Sequence, residues 1–471
     1  MKALPAADDV AAWLALDRRH CWHPFTQAQT ASAPLLIERA QGAHLWDAQG
    51  RRYFDAVSSW WVNLHGHAHP AIARALADQA ERMEQVMFAG LTHPPAIALA
   101  QALAQRSPEP LRHVFFSDNG STAVEVALKM ACQYWANRGG RDAQRRRRFL
   151  SLEGGYHGDT FGAMAAGRSS GFYTPFAPWL FQVDALPIAP TWWGHDPQED
   201  EARSLEVLRR HLAQHGDEVV AFILEPLVQG AAGMRMMRPG FVREATRLCQ
   251  DAGIPVIFDE VMTGFGRTGS FLAADQVAGQ IDDTAAGEAV VPDMLCLSKG
   301  LTGGFLPMGA TLAAPHVYEA FLGEDVDRAL LHGHSYTANP LGCAAALASL
   351  ALFEQEGTLR RIAQHEAVHR RLLGALADHP LVEHARLQGS IAAFDVRVPP
   401  EQARYGAPVG QWLRERLREL GVLMRPLGRT LYFIAPYCST DGDFEQAYAC
   451  VRQSLDEWQA AGKSSAVSEH F

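Results

Sequence analysis

Between residues 70 and 345 the chain alternates short apolar runs with longer helical patterns, and this restricts the fold more than any other feature of the 471 residues. His113–Ser117, Phe149–Leu152, Val219–Leu224, Ile254–Phe258 and Met294–Leu297 each have the length and composition of a buried strand. Ser121–Arg138 and Gly240–Ala252 carry the helical patterns. Strand and helix in alternation predict an α/β fold with a parallel sheet covered by helices on both faces, since parallel strands need long crossovers. Residues 35–57 interrupt apolar runs with Gly42, Asp47 and Gly50, which predicts a small antiparallel sheet with tight turns. Residues 355–470 change style and predict two charged helices flanking strands near Ala392–Val396 and Leu431–Ala435, an α+β unit. The N-terminal strands join that unit. The expected division is residues 1–75 and 346–471 for a small domain and 76–345 for a large one. Residues 276–292, polar and rich in Gly and Ala, predict an exposed loop.

Composition removes other classes. With 48% hydrophobic and 20% charged residues, the chain is neither disordered nor collagen-like, and no fixed-period repeat suggests a solenoid or propeller. The net charge of −10 argues against a nucleic-acid partner, and the basic run Arg145–Arg148 reads as a solvated helix end or loop. Seven scattered cysteines, none spaced C-x-x-C, fit free thiols in a reducing compartment. The N-terminus carries Asp8, Asp9 and Asp17 where a secretory signal would be apolar. The longest apolar stretch, Cys343–Phe353, is far short of the roughly 20 residues that cross a bilayer. A soluble, cytoplasmic protein with no membrane partner is expected.

Three motifs sit at strand ends, where open α/β sheets bind ligands. After HVFFS comes Asp118-Asn119-Gly120-Ser121-Thr122-Ala123 and then a helix. Gly120 permits a tight turn, Ser121 and Thr122 can cap the helix, and the terminus suits a phosphate. Ile254–Phe258 delivers Asp259-Glu260 into a polar turn, and a carboxylate in a dry crevice needs a cationic partner. Met294–Leu297 ends in Ser298-Lys299-Gly300, which places a lysine as a nucleophile among glycines. Phosphate cradle, carboxylate and lysine together match the needs of pyridoxal phosphate. Two other patterns carry less. Gly264-x-Gly266-x-x-Gly269 spells the dinucleotide fingerprint, but it trails the strand and opens no helix. His65, His67 and His69, like His332 and His334, lack the carboxylates or thiols that would complete a metal shell, so no metal is expected.

With these motifs in place, the chain resembles the fold-type I, class III pyridoxal-phosphate aminotransferases along nearly its whole length. The matching stretches are WHPFTQ (22–27), SSWWVNLHGHAHP (58–70), GYHGDTFGAM (155–164), EPLVQGAAGM (225–234), DEVMTGFGRTG (259–269), SKGLTGG (298–304) and RPLG (425–428). SSWW, YHGDTFGAM and VQGAAGM resemble the members that convert 8-amino-7-oxononanoate to 7,8-diaminononanoate in biotin biosynthesis. The resemblance implies a large domain with a mostly parallel seven-stranded sheet, a small α+β domain from both chain ends, and a homodimer with shared active sites. It implies Lys299 as the Schiff-base lysine and proton shuttle, and Asp259 as the partner of the cofactor's ring nitrogen. Gly120 and Ser121 would hold the phosphate from one subunit, and His334 and Ser335 from the other. Tyr156 would stack on one face of the ring and Val261 pack on the other. Trp60 would wall the substrate site, Gly333 would offer a backbone contact, and Arg425 would receive the substrate carboxylate, its planar fork suiting that group.

Two departures bear on the amino donor. Many members that use S-adenosylmethionine carry Tyr where this chain has Phe25, and Pro-Thr where it has His334-Ser335. In both respects the chain is more similar to lysine-using members. S-adenosylmethionine is the favoured donor and lysine the alternative. Another class III aminotransferase acting on an ω-amino acid or diamine is the rival activity. A non-catalytic binding relative would be expected to lack Lys299.

Overall fold

The computed structural model describes residues 4–6, 9–167, 173–279, 289–400 and 403–461. Near the N-terminus β1 (Ile37–Gln41), β2 (His44–Asp47) and β3 (Arg52–Asp55) form the expected antiparallel sheet with β2 in the middle. The next strands are β4 (His113–Ser117), β5 (Arg148–Leu152), β6 (Val183–Leu186) and β7 (Val219–Leu224). A short hairpin of β8 (Val228–Gln229) and β9 (Arg235–Met236) follows, then β10 (Val256–Asp259), β11 (Met294–Leu297) and β12 (Gly309–Ala313). Seven of these make one sheet in the order β4-β12-β11-β10-β7-β5-β6. Every residue of β7, β10 and β11 is buried, as a sheet covered on both faces requires.

The sheet is mostly parallel, but β12 runs antiparallel to both of its neighbours, β11 and β4. The connection from Leu297 to Gly309 is shorter than the dozen or so residues of a parallel crossover, so the chain turns back on itself. That same connection carries Lys299. β10 starts two residues later than the apolar run does. Pro255 has no N–H for the ladder, although its carbonyl accepts from Phe222 N at 3.0 Å.

Toward the C-terminus, β13 (Val382–Gln388), β14 (Ile391–Val396), β15 (Val422–Leu423) and β16 (Thr430–Phe433) are accompanied by three helices where two were expected: Thr358–Ala377, Pro408–Glu419 and Asp441–Ala460. β13, β14 and β16 form an antiparallel sheet, while β15 pairs in parallel with β3 at the opposite end of the chain. One buried apolar cluster accordingly joins Ala43, Phe54 and Ala56 to residues between Val368 and Trp458. The divisions expected at 75/76 and 345/346 fall inside helices Pro70–Ala80 and Pro340–Gln355, which pack on each other.

Several expectations about surface motifs can be placed. Arg145 pairs with Asp217 at 2.6 Å, Arg148 with Glu218 at 2.7 Å, and Arg146 lies 3.5 Å over the Trp135 ring, so the basic run is largely neutralised. His65, His67 and His69 turn to separate partners, Ser349, Asp55 and Glu356, and no metal-binding cluster occurs among the described residues. All seven cysteines are free. Residues 276–277 belong to helix Ala273–Val277, and 280–288 of the expected loop lie outside the described residues. Among the described residues no helix is long and apolar enough to cross a membrane.

The G-x-G-x-x-G stretch is a series of turns after β10, and its central residue closes the structure. Arg267 is 1% exposed, and its guanidinium donates to the carbonyls of Trp61 (3.2 Å), Asn63 (3.0 Å), Ile434 (3.4 Å) and Ala435 (3.0 Å). Arg267→Leu would fill similar space but leave the buried carbonyls of Trp61, Asn63 and Ala435 bare, each costing about 1 kcal/mol or more, while Ile434 keeps Ser58 Oγ. The thermal midpoint is expected to fall by about 3 °C. A calorimetric shift under about 1 °C would show that the carbonyls find other donors.

Candidate active site

Four strand ends converge on a cleft of about 630 Å³. β4 leads into helix Gly120–Arg138, whose cap is Asn119 rather than Ser121 or Thr122: its side chain accepts from Thr122 N at 3.0 Å. This leaves the amide end at Gly120 and Ser121 facing the cleft, a site suited to an anion. A Cβ at Gly120 would come within 2.6 Å of Val261 Cγ1, so only glycine lets the helix end approach this closely. Gly158, at φ +126°, passes over Ser121 in the same way, and the neighbouring Asp159 N donates to Ser121 Oγ at 3.2 Å.

β10 delivers Asp259, which is buried. One oxygen lies 2.7 Å from His157 Nδ1 and the other accepts from Val261 N at 3.1 Å. β11 ends at Leu297, and after Ser298 comes Lys299 at φ +43°, its amine 5.0 Å from the centre of the Trp61 ring. Burial pushes the lysine pKa down. Asp259 and Glu225 pull it back up, and Arg267 adds to the depression. β7 runs into Glu225, fully buried at the same cleft, accepting from Tyr156 N (3.0 Å) and Gly230 N (2.9 Å). Desolvation holds its carboxyl up at about 7. Tyr156 lines the cleft with its hydroxyl on Asp159 at 3.1 Å. A dry amine, two carboxylates and an open helix terminus can hold a charged aromatic ligand, offer a nucleophile and move a proton.

Of the residues singled out in the sequence, Gly120, Ser121, Tyr156, Asp259, Val261 and Lys299 line this cleft. Phe25 and Arg425 line a neighbouring cleft of about 200 Å³. Arg425 lies 4.2 Å over the Trp60 ring and donates to Tyr405 OH at 2.9 Å, while the Phe25 ring meets Trp60 edge-on at 5.5 Å. Gly333, His334 and Ser335 do not line the cleft of their own chain. His334 Nδ1 is 3.1 Å from Asp118, Ser335 O accepts from Gln85, and Gly333 is in open space.

His157, Glu225 and Trp61 were not singled out. Glu225 follows a strand as Asp259 does, and the strand-end rule that found the one applies to the other. Trp61, not Trp60, faces Lys299, because Ser58, Ser59, Trp60 and Trp61 all have positive φ (49°, 44°, 71° and 74°) and form a left-handed turn. Each such residue costs about 1 kcal/mol or more, so the surroundings must hold the turn in place.

The Glu225 carboxyl gives this site a pH signature. Its folded pKa of about 7 exceeds the ordinary 4.5, so between those values the folded chain keeps a proton that the unfolded chain has lost. Stability from this group is therefore lost as pH rises from 4.5 to 7. Glu225→Gln leaves one backbone N–H without an acceptor and starts less stable, but the gap to the parent should narrow between pH 5 and pH 7. A gap in thermal midpoint that stays constant over this range would mean that Glu225 ionises as an ordinary carboxyl.

Comparison with known proteins agrees with this geometry. The family model described as aminotransferase class-III matches residues 25–455. The adenosylmethionine-8-amino-7-oxononanoate aminotransferase of Synechococcus elongatus is 48% identical over 93% of this chain and 99% of its own length. That of Nitratidesulfovibrio vulgaris is 40% identical over 99% and 84%. The crystal structure of the same-named protein from Methanocaldococcus jannaschii superposes with a TM-score of 0.86 at 34% identity, covering 95% of this chain and 99% of that one. A PLP-bound amine transaminase from an uncultivated Pseudomonas species reaches 0.83 at 30% identity, covering 93% and 98%.

Proposed function

The chain belongs to the class III aminotransferase family, and we propose that it converts 8-amino-7-oxononanoate to 7,8-diaminononanoate in biotin biosynthesis, using pyridoxal 5′-phosphate. The observation that carries this reading is the meeting of a buried lysine amine, a buried carboxylate and a bare helix terminus in one cleft. These residues fit the cofactor. Gly120 lets the helix end pack against Val261 with Gly120 and Ser121 lining the cleft, and Asp259, already oriented by His157, has no arginine partner among the described residues. Bound there, pyridoxal phosphate supplies an aldehyde for the amino group and a ring that delocalises charge as the substrate Cα–H bond breaks.

Lys299 is the nucleophile and then the base. Its depressed pKa keeps a larger share of the amine neutral than in water, so Nζ can attack a carbonyl carbon and afterwards carry the proton. Asp259 holds a proton at the ring nitrogen, and His157 and Val261 N fix the carboxylate that does so. Gly120 and Ser121 bind the phosphate, completed by the partner subunit's His334 and Ser335 in a homodimer with shared active sites. Met87, Leu91, Leu331 and Tyr336, all more than half exposed, support the burial of this face by a second copy. Tyr156 and Val261 take the two faces of the ring. Phe25, Trp60 and Gly333 border the substrate, and Arg425 receives its carboxylate. The protein works in the cytoplasm. A second reading, an ω-amino acid or diamine aminotransferase, draws on the similarity to the amine transaminase.

Borohydride treatment of cofactor-loaded protein is expected to leave a stable adduct on Lys299, located by peptide mass. Lys299→Ala should still bind the cofactor but lose transamination by orders of magnitude. An adduct at another residue would overturn the assignment.

S-adenosylmethionine is the favoured donor, as the names of the relatives support, with lysine second because Phe25 lacks a hydroxyl. The test is a single turnover with each donor, read as loss of the cofactor's yellow absorbance, with 8-amino-7-oxononanoate supplied afterwards as acceptor. Bleaching by adenosylmethionine is expected, and Phe25→Tyr should then improve it by no more than about tenfold, the worth of one neutral hydrogen bond. Bleaching by lysine alone would reverse the order of donors. Failure of the acceptor to restore the band would overturn the substrate.

A further inference from the structure

The left-handed turn Ser58–Trp61 joins two parts of the site that the reaction must keep apart by a fixed distance. Its Ser59 and Trp60 have ψ of 54° and 46°, so the backbone is left-handed helical, a state non-glycine residues hold only where their surroundings over-determine it. The restraints are visible. Ser58 Oγ donates to the Ile434 carbonyl at 2.6 Å. Ser59 Oγ donates to Asp55 Oδ2 at 2.9 Å, an oxygen that also lies 2.8 Å from His67 Nε2. Trp61 Nε1 donates to Tyr432 OH at 3.1 Å, and Arg267 donates to the Trp61 carbonyl. The consequence lies in two adjacent side chains. Trp61 faces the Lys299 amine at 5.0 Å, and Trp60 is the platform beneath the Arg425 guanidinium at 4.2 Å. The wall of the reacting centre and the support of the distal cation are thus consecutive residues, with Cα atoms about 3.8 Å apart on a locked backbone.

We propose that this turn is a gauge of substrate length: Ser58 and Ser59 are positioning residues that fix the spacing between Lys299 and Arg425, and so select acids whose carboxylate and reacting carbon are that far apart. The proposal rests on the reading of Arg425 as the carboxylate receiver. A loosened turn lets Trp60 and the guanidinium above it drift, so the favoured acid loses its advantage over shorter ones, while the groups around Lys299 stay in place.

The experiment compares cofactor-loaded parent, Ser59→Gly, Ser59→Ala and Arg425→Ala. Each is assayed with 8-amino-7-oxononanoate and with a homologue two methylenes shorter, alongside the cofactor absorbance spectrum and the thermal midpoint. Glycine suits the positive φ and alanine does not, yet both remove the hydroxyl, so strain and hydrogen bonding are separated. Discrimination between the two acids is expected to fall about tenfold in both Ser59 variants, mainly through KM, with the spectrum unchanged. Loss in Ser59→Ala alone, accompanied by a lower thermal midpoint, would mean relief of strain and would overturn the gauge. Discrimination lost in Arg425→Ala but kept within about twofold in both Ser59 variants would overturn the gauge and leave the carboxylate reading standing. Discrimination kept in Arg425→Ala would overturn that reading, and the gauge with it.

Discussion

The guanidinium of Arg267 lies in the interior with two carbonyls from residues 61 and 63 on one side and two from residues 434 and 435 on the other. A buried charge survives only where dipoles replace its water, and here the dipoles belong to segments more than 370 residues apart in sequence. The turn after β10 therefore pins both ends of the chain at the edge of the cleft. The N-terminal segment that it holds carries the two tryptophans, and the C-terminal one follows Arg425 and β16. Asp259 is eight residues before Arg267 on the same stretch, so the strand that supplies the carboxylate also supplies the clamp that builds the walls around it.

Inside the cleft the charges are not balanced pair by pair. Lys299 faces Asp259 and Glu225, and a dry site does not favour three ionised groups together. Asp259 has His157 and a backbone N–H on its oxygens. Glu225 yields instead, its carboxyl raised to about 7 by desolvation.

The strands of the large sheet were legible where their residues form unbroken apolar runs, and all five such runs are strands. β6 and β12 of that sheet and β13 of the C-terminal sheet were not, because VDAL is short and carries Asp184, GATLA is rich in small residues, and VEHARLQ is largely polar. Gly120, Asp259 and Lys299 could be read from their places at strand ends. His157 bears no mark in sequence, since its contact with Asp259 spans 102 positions. Trp60 and Trp61 are the same residue side by side, and which of them faces the amine is decided by the sign of φ, a property that serine and tryptophan do not announce. Arg267 was hidden inside a glycine pattern whose usual meaning is a nucleotide site.

The separation between what is broadly shared and what is local follows from energies. The Arg267 clamp and the strand-end carboxylates each hold several backbone groups, and changing any of them disturbs the fold as well as the cleft. Phe25 belongs to an N-terminal segment, and its ring meets Trp60 edge-on and lines a cleft with Arg425. A hydroxyl gained or lost there is worth about 0.5–1.5 kcal/mol, enough to shift a preference by up to roughly tenfold and too little to affect folding. The protein from Methanocaldococcus jannaschii, at 34% identity, accordingly shares the scaffold. Phe25 is 43% exposed, so a substitution there leaves the buried Arg267 clamp untouched.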